Sequence, residues 1–117
     1  MDIYFLLGFK KKKHLKINEI MKLVRQTSRW SHASRQDKDN LIAVLHANYG
    51  AGYLWALKDL FSDTEIEEVI DSKELREKLE AKVIEIQDKA TKNAIKDCPQ
   101  YAGAIDFLSK LGGEAFT

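Results

Sequence analysis

Helix-interrupting residues are scarce in this chain. One proline and six glycines punctuate 117 residues, and most segments between them repeat apolar side chains at the spacing of a single helix face. A sheet would need alternation with a period of two and more frequent turn residues. The pattern therefore predicts an all-α fold: a compact single domain over residues 1–117 with about five helices, one of them long (72–96), and an extended N-terminal arm. A chain of this length buries about two-thirds of its unfolded surface on folding, so it needs no covalent staples. Its 44% apolar and 32% charged residues fit an ordinary globular domain rather than a disordered one.

Along the chain, Ile3 to Leu7 favour a strand or an extended arm over residues 1–9, and Lys10 to Lys13, His14 and Lys16 follow as a basic connector. Ile17, Ile20, Met21 and Val24 mark one face of a first helix from Asn18, a possible cap, to near Ser28. From Arg25 to Lys38 the Arg-, Ser- and Gln-rich sequence reads as a frayed helix end and a surface loop. Leu41, Leu45, Tyr49, Tyr53, Leu57 and Leu60 then form an i, i+4 ladder, read as the core stripe of a buried helix. Gly50 and Gly52 each cost about 1 kcal/mol against alanine there, which leaves a bend near Asn48 to Gly52 open. Ser62-Asp63-Thr64-Glu65 is a capping box with Phe61 and Ile66 in staple positions, and it opens a short helix to Ile70. Asp71-Ser72-Lys73-Glu74 opens the long helix, with Leu75, Leu79, Val83, Ile86, Ala90 and Ala94 expected toward the core. Pro99 ends it, and Gln100 to Leu111 reads as a last helix before Gly112-Gly113.

Charge is unevenly distributed. Residues 1–38 hold ten of the nineteen Lys/Arg and three of the eighteen Asp/Glu, a net of +7, against −6 for residues 39–117. A basic third on an acidic body points to phosphates or acidic surfaces as partners. The apolar run at Ile3 to Phe9 precedes its lysines, the reverse of a secretory signal. The uncharged stretch Leu41 to Leu57 is short and polar for a bilayer span. A cytoplasmic protein without a membrane partner is expected, and the lone Cys98 agrees with a reducing compartment.

Residue chemistry argues against an enzyme. His14, His32 and His46 lack metal-ligand spacing, and one cysteine cannot form a disulfide or a cysteine-based zinc cage. His46 reads as a hydrogen-bonded core histidine. Cys98, at a helix C-terminus, reads as an inert thiol, because the partial negative charge there opposes thiolate formation. No phosphate-binding loop is present. Catalytic residues, metal and cofactor are all expected to be none.

Three features point to DNA or RNA instead. Lys10, Lys11, Lys12 and Lys13 suit phosphate neutralisation, or form a solubilising arm. Arg25, Arg29 and Arg35 flank Trp30, which either stacks on a base or packs into the core. Lys78, Lys82, Lys89, Lys92 and Lys96 share one side of the long helix, where i, i+4 acid–base pairs offer a solvated mixed-charge face as the other reading. The succession of a helix at 41–61, a short helix at 63–70, a tight turn at Asp71-Ser72 and a further helix resembles the core of helix-turn-helix and winged-helix proteins. That resemblance covers about forty residues, and it implies a recognition helix beginning at Ser72 with Lys73, Arg76 and Lys78 nearest the groove.

The sequence thus predicts a small non-enzymatic nucleic-acid-binding or regulatory protein. The alternative is a helical interaction or assembly module, with its basic and acidic halves paired in a homodimer. A small-molecule pocket around His46, Tyr49, Tyr53 and Trp55 is a third option, against an aromatic core layer.

Overall fold

The computed structural model describes the backbone from Ile3 to Gln100 and the side chains from Leu15 to Gln100. The described residues are all-helical, with four α-helices: α1 (Ile3–Gln36), α2 (Asn40–Leu60), α3 (Asp63–Ile70) and α4 (Lys73–Asp97). The expected fifth helix at 100–111 lies outside the described residues, apart from its first position.

The N-terminal third departs from expectation. Neither an extended arm at 1–9 nor a loop at 25–38 is present over the described positions, because α1 is a single 34-residue helix. At 1.5 Å per residue it is about 51 Å long. Two causes account for the difference. An isolated strand has no partner here, whereas lysine is a good helix former, so the basic connector extends the helix rather than interrupting it. The Ser/Thr-rich part is also a packing face: Thr27, Ser31 and Ser34 are all buried. Thr27 Oγ1 donates to the Leu23 carbonyl at 2.7 Å, and Ser34 Oγ donates to the Ala43 carbonyl of α2 at 2.6 Å.

Helix α2 is capped by Asp39, whose carboxylate accepts from the amides of Leu41 and Ile42. It runs unbroken through Gly50 and Gly52. Of its expected core stripe only Leu57 is buried: the buried face is Ala43, Ala47, Gly50, Ala51, Leu54 and Leu57, while Leu41, Leu45, Tyr49, Tyr53 and Leu60 are exposed. Small side chains let the α1 and α2 backbones approach closely. A Cβ at Gly50 would lie 2.3 Å from Ser31 Oγ and 3.2 Å from the Thr27 carbonyl oxygen.

The capping box of α3 forms as read: the Ser62 side chain accepts from the Glu65 amide, and the Glu65 carboxylate accepts from the Ser62 amide. Asp71, at φ 63°, turns the chain in the left-handed region, and Ser72 caps α4 by accepting from the Leu75 amide. Two apolar clusters close the bundle. Ile20 of α1, Leu57 of α2 and Ile66 of α3 form one, edged by Leu23, Val24, Phe61 and Val69. Ala51 and Leu54 of α2 meet Leu79 and Val83 of α4 in the other. α4 is antiparallel to α2: Asn40 bonds Asp97 at 2.7 Å, Gln87 bonds Asn48 at 3.0 Å, and Lys58 pairs with Glu80 at 3.2 Å.

Candidate nucleic-acid interface

The outer face of α1 carries a row of cations that are in no ion pair among the described residues. Lys22, Arg25, Arg29 and His32 are exposed, and their spacing of three, four and three sets them along one side of the helix, away from buried Ile20, Thr27, Ser31 and Ser34. Among the described residues the ion pairs are Lys16–Glu65, His46–Asp37, Lys58–Glu80, Lys73–Glu77, Lys82–Glu85 and those of Arg76. Lys22, Arg25, Arg29 and Arg35 take part in none of them.

Near the C-terminal end of this ridge, a cleft of about 440 Å³ opens between α1, α2 and α4. Arg35 from α1 and Lys82 and Lys89 from α4 line it, together with Asn40, Asn93, Asp37 and Glu85. Both carboxylates are already engaged. Asp37 Oδ2 lies 2.7 Å from His46 Nδ1, and Glu85 lies 3.4 Å from Lys82 Nζ. Cations far apart in the chain therefore meet in one groove, with Arg35 and Lys89 unpaired among the described residues.

The candidate residues fall into four groups. Arg25, Arg29 and Arg35 are exposed, the first two one turn apart on the ridge and Arg35 round the helix at the cleft. Lys10, Lys11, Lys12 and Lys13 belong to the same helix, with side chains outside the described residues. Lys73 and Lys78 are exposed near the start of α4, and Lys73 stands 4.0 Å from Glu77. Trp30 and Arg76 leave the set. Trp30 is half-buried against α2, its ring centroid 5.1 Å from that of His46 and 5.3 Å from that of Tyr49, and its indole Nε1 donates to Gln26 at 3.1 Å. The indole is thus used inside the protein, in the packed alternative rather than the stacking one.

Arg76 is a correction to the recognition-helix expectation. It is 8% exposed and occupies the α3–α4 interface instead of reaching solvent. Its Nε donates to Glu67 at 2.8 Å and its Nη1 to Glu80 at 2.9 Å, with Asp63 at 3.7 Å and Glu77 at 3.8 Å. The bond to Glu67 first, and that to Glu80 next, hold the guanidinium further above its already high range, outweighing the opposing effect of burial. A buried guanidinium held by two carboxylates, with two more within 4 Å, is not presented to a phosphate.

Leu75, expected in the core, is 55% exposed because Arg76 takes the inward position. His46 is bonded as expected but only half-buried, and Cys98 caps the end of α4 in a half-buried setting. Sequence reading missed Lys22, although its i, i+3, i+7 relation to Arg25 and Arg29 was there to be found. No helix among the described residues is long and apolar enough to cross a membrane. Nor do any three His, Cys, Asp or Glu side chains among them group closely enough to hold a metal ion.

These features define, over the described residues, a four-helix bundle whose outer helix α1 carries a row of unpaired cations beside an acidic body. Compared with family models, curated proteins and solved structures, the chain matches none.

Proposed function

We propose that this protein binds nucleic acid without catalysis, through the outer face of α1 and the adjoining cleft. The supporting observation is that Lys22, Arg25 and Arg29 share an exposed face with no carboxylate partner among the described residues. Lys58, Lys73 and Arg76 of the acidic body, by contrast, are each spent on a local glutamate. The ridge is an uncompensated positive surface, suited to the sugar-phosphate chain and blind to sequence, and unpaired lysines of α4, Lys89 among them, add to it. Arg35 and Lys89 extend it into the cleft. In the helix-turn-helix reading, Lys73 and Lys78 add flanking backbone contacts, and Arg76 adds none.

Fluorescence anisotropy with a labelled single strand and the matching duplex tests this. Replacing Lys22, Arg25 and Arg29 together by glutamine lowers the affinity about 100-fold and removes about one unit of salt slope per residue. Unchanged affinity in the triple variant refutes the assignment. These side chains are solvent-facing, so the folded state is retained and circular dichroism matches that of the parent.

A further inference from the structure

From Leu41 to Leu57 helix α2 carries no Lys, Arg, Asp or Glu and has apolar side chains on every side, a composition suited to a largely enclosed helix, yet one of its faces is uncovered. On that face Leu41, Leu45, Tyr49 and Tyr53 are 41%, 42%, 45% and 37% exposed. Exposed Gly52 and half-buried Ala56 sit among them. A row of large apolar side chains at i, i+4 spacing along one helix marks a contact surface rather than scattered exposure.

The two glycines of α2 differ in a way that locates the contact. Gly50 is required by α1, as the clash with Ser31 shows. Gly52 has no such reason: a Cβ there would meet nothing within 4 Å. Nothing within the described residues accounts for a residue that costs about 1 kcal/mol in a helix interior. It is explained if something outside the described chain approaches that point closely.

The stripe is complementary to itself. Laying a second α2 antiparallel, with a two-fold axis between Asn48 and Tyr49, sets Leu45 over Gly52 and Leu41 over Ala56. Both leucines of the stripe then face a small residue, as interlocking helices require. The same register brings the N-terminal end of α2, which Lys38 precedes by two positions, alongside Asp59 of the second copy. Both are exposed, and neither is in an ion pair among the described residues. In an isologous contact every such pairing occurs twice.

We propose that the exposed face of α2 is a homodimer interface, with a second copy of this chain as its occupant in that antiparallel register. This rests on α2 alone and is independent of what the α1 face binds.

Sedimentation equilibrium on the full chain tests it. At about 100 µM, well above the dissociation constants usual for a standard-size interface, the protein sediments at twice the 13.4 kDa of one chain. Gly52→Leu raises the dissociation constant by about 100-fold, because the added side chain collides with Leu45 at two symmetric places. Leucine is the better helix former and meets open space in the monomer, so the variant folds. Merely adding apolar surface would strengthen association through an unspecific sticky face. Asp59→Lys weakens the dimer about tenfold at low salt, and adding Lys38→Glu restores it. A monomeric parent overturns the proposal, and means that another part of the chain or a different protein covers the stripe. A Gly52→Leu dimer of unchanged affinity, or a double variant no better than Asp59→Lys, overturns it as well.

Discussion

Replacing Arg76 by methionine lowers the thermal midpoint by on the order of 10 °C or more, although the substitution keeps the volume and the helix propensity. Among the described residues Arg76 alone reaches both Glu67 and Glu80, at 2.8 and 2.9 Å. Without it, two partly buried carboxylates from α3 and α4 confront each other, and Asp63 and Glu77 add to the repulsion. Lys58 stays on Glu80 and offsets only part of the excess. Arg76→Lys keeps the charge but cannot donate to both glutamates in the same geometry, so its midpoint falls between the two. Adding Glu67→Gln to Arg76→Met recovers part of the loss, since the damage comes from stranded charge rather than missing bulk. Thermal denaturation followed by circular dichroism checks the series. An unchanged midpoint in Arg76→Met means the network is a surface arrangement of little consequence.

Gly50→Leu is expected to unfold the protein or to cost more than about 4 kcal/mol, a large share of the net stability of a domain this size. The Cβ alone would lie 2.3 Å from Ser31 Oγ, and 3.0 Å from the Ser31 backbone nitrogen. A hydroxyl can rotate away, but backbone yields only if α1 and α2 separate. That would open the helix pair with the most extensive contact in the structure. Gly50→Ala should cost about 2 kcal/mol, since overpacking outweighs the gain in helix propensity. Urea denaturation measures both, and a Gly50→Ala protein more stable than the parent contradicts the close approach.

These positions also show what the sequence could reveal and why some of it stayed hidden. The termini of α3 and α4 were legible because caps are local: Ser62 with Glu65, and Ser72 with the Leu75 amide, act within one turn of backbone. The faces of α1 and α2 were not, because hydropathy ranks side chains by size and greasiness. This bundle instead joins α1 to α2 through Thr27, Ser31 and Ser34 against Ala43, Ala47 and Gly50, a seam that gains from closeness. Of the stripe expected in the core of α2, Leu41, Leu45, Tyr49 and Tyr53 are outside and Leu57 is inside, whereas Thr27, Ser31 and Ser34, in the Ser-rich end of α1 that looked like loop, are buried. Arg76 displaced Leu75 from the interior for a related reason: its carboxylate partners come from α3 as well as from α4, and no single-helix pattern displays them.

The candidate site was partly legible. Arg25, Arg29 and Arg35 could be picked out as an exposed basic cluster, because unpaired arginines outnumber carboxylates in that stretch. Their meeting with Lys82 and Lys89 depends on how α4 crosses α1, which no local spacing encodes. Trp30 was ambiguous in the sequence, and Tyr49 and His46 of α2 determine its place.

Nucleic-acid binding by this protein requires that the positive surface of α1 and the cleft meet phosphates. Titrating the unmodified protein against a labelled duplex over a range of salt concentrations measures this most directly. Roughly five neutralised phosphates, matching Lys22, Arg25, Arg29, Arg35 and Lys89, give a slope of about −4.5 in log affinity against log salt, and about −3.5 for a single strand. No binding at the lowest salt, or an affinity indifferent to salt, would contradict it.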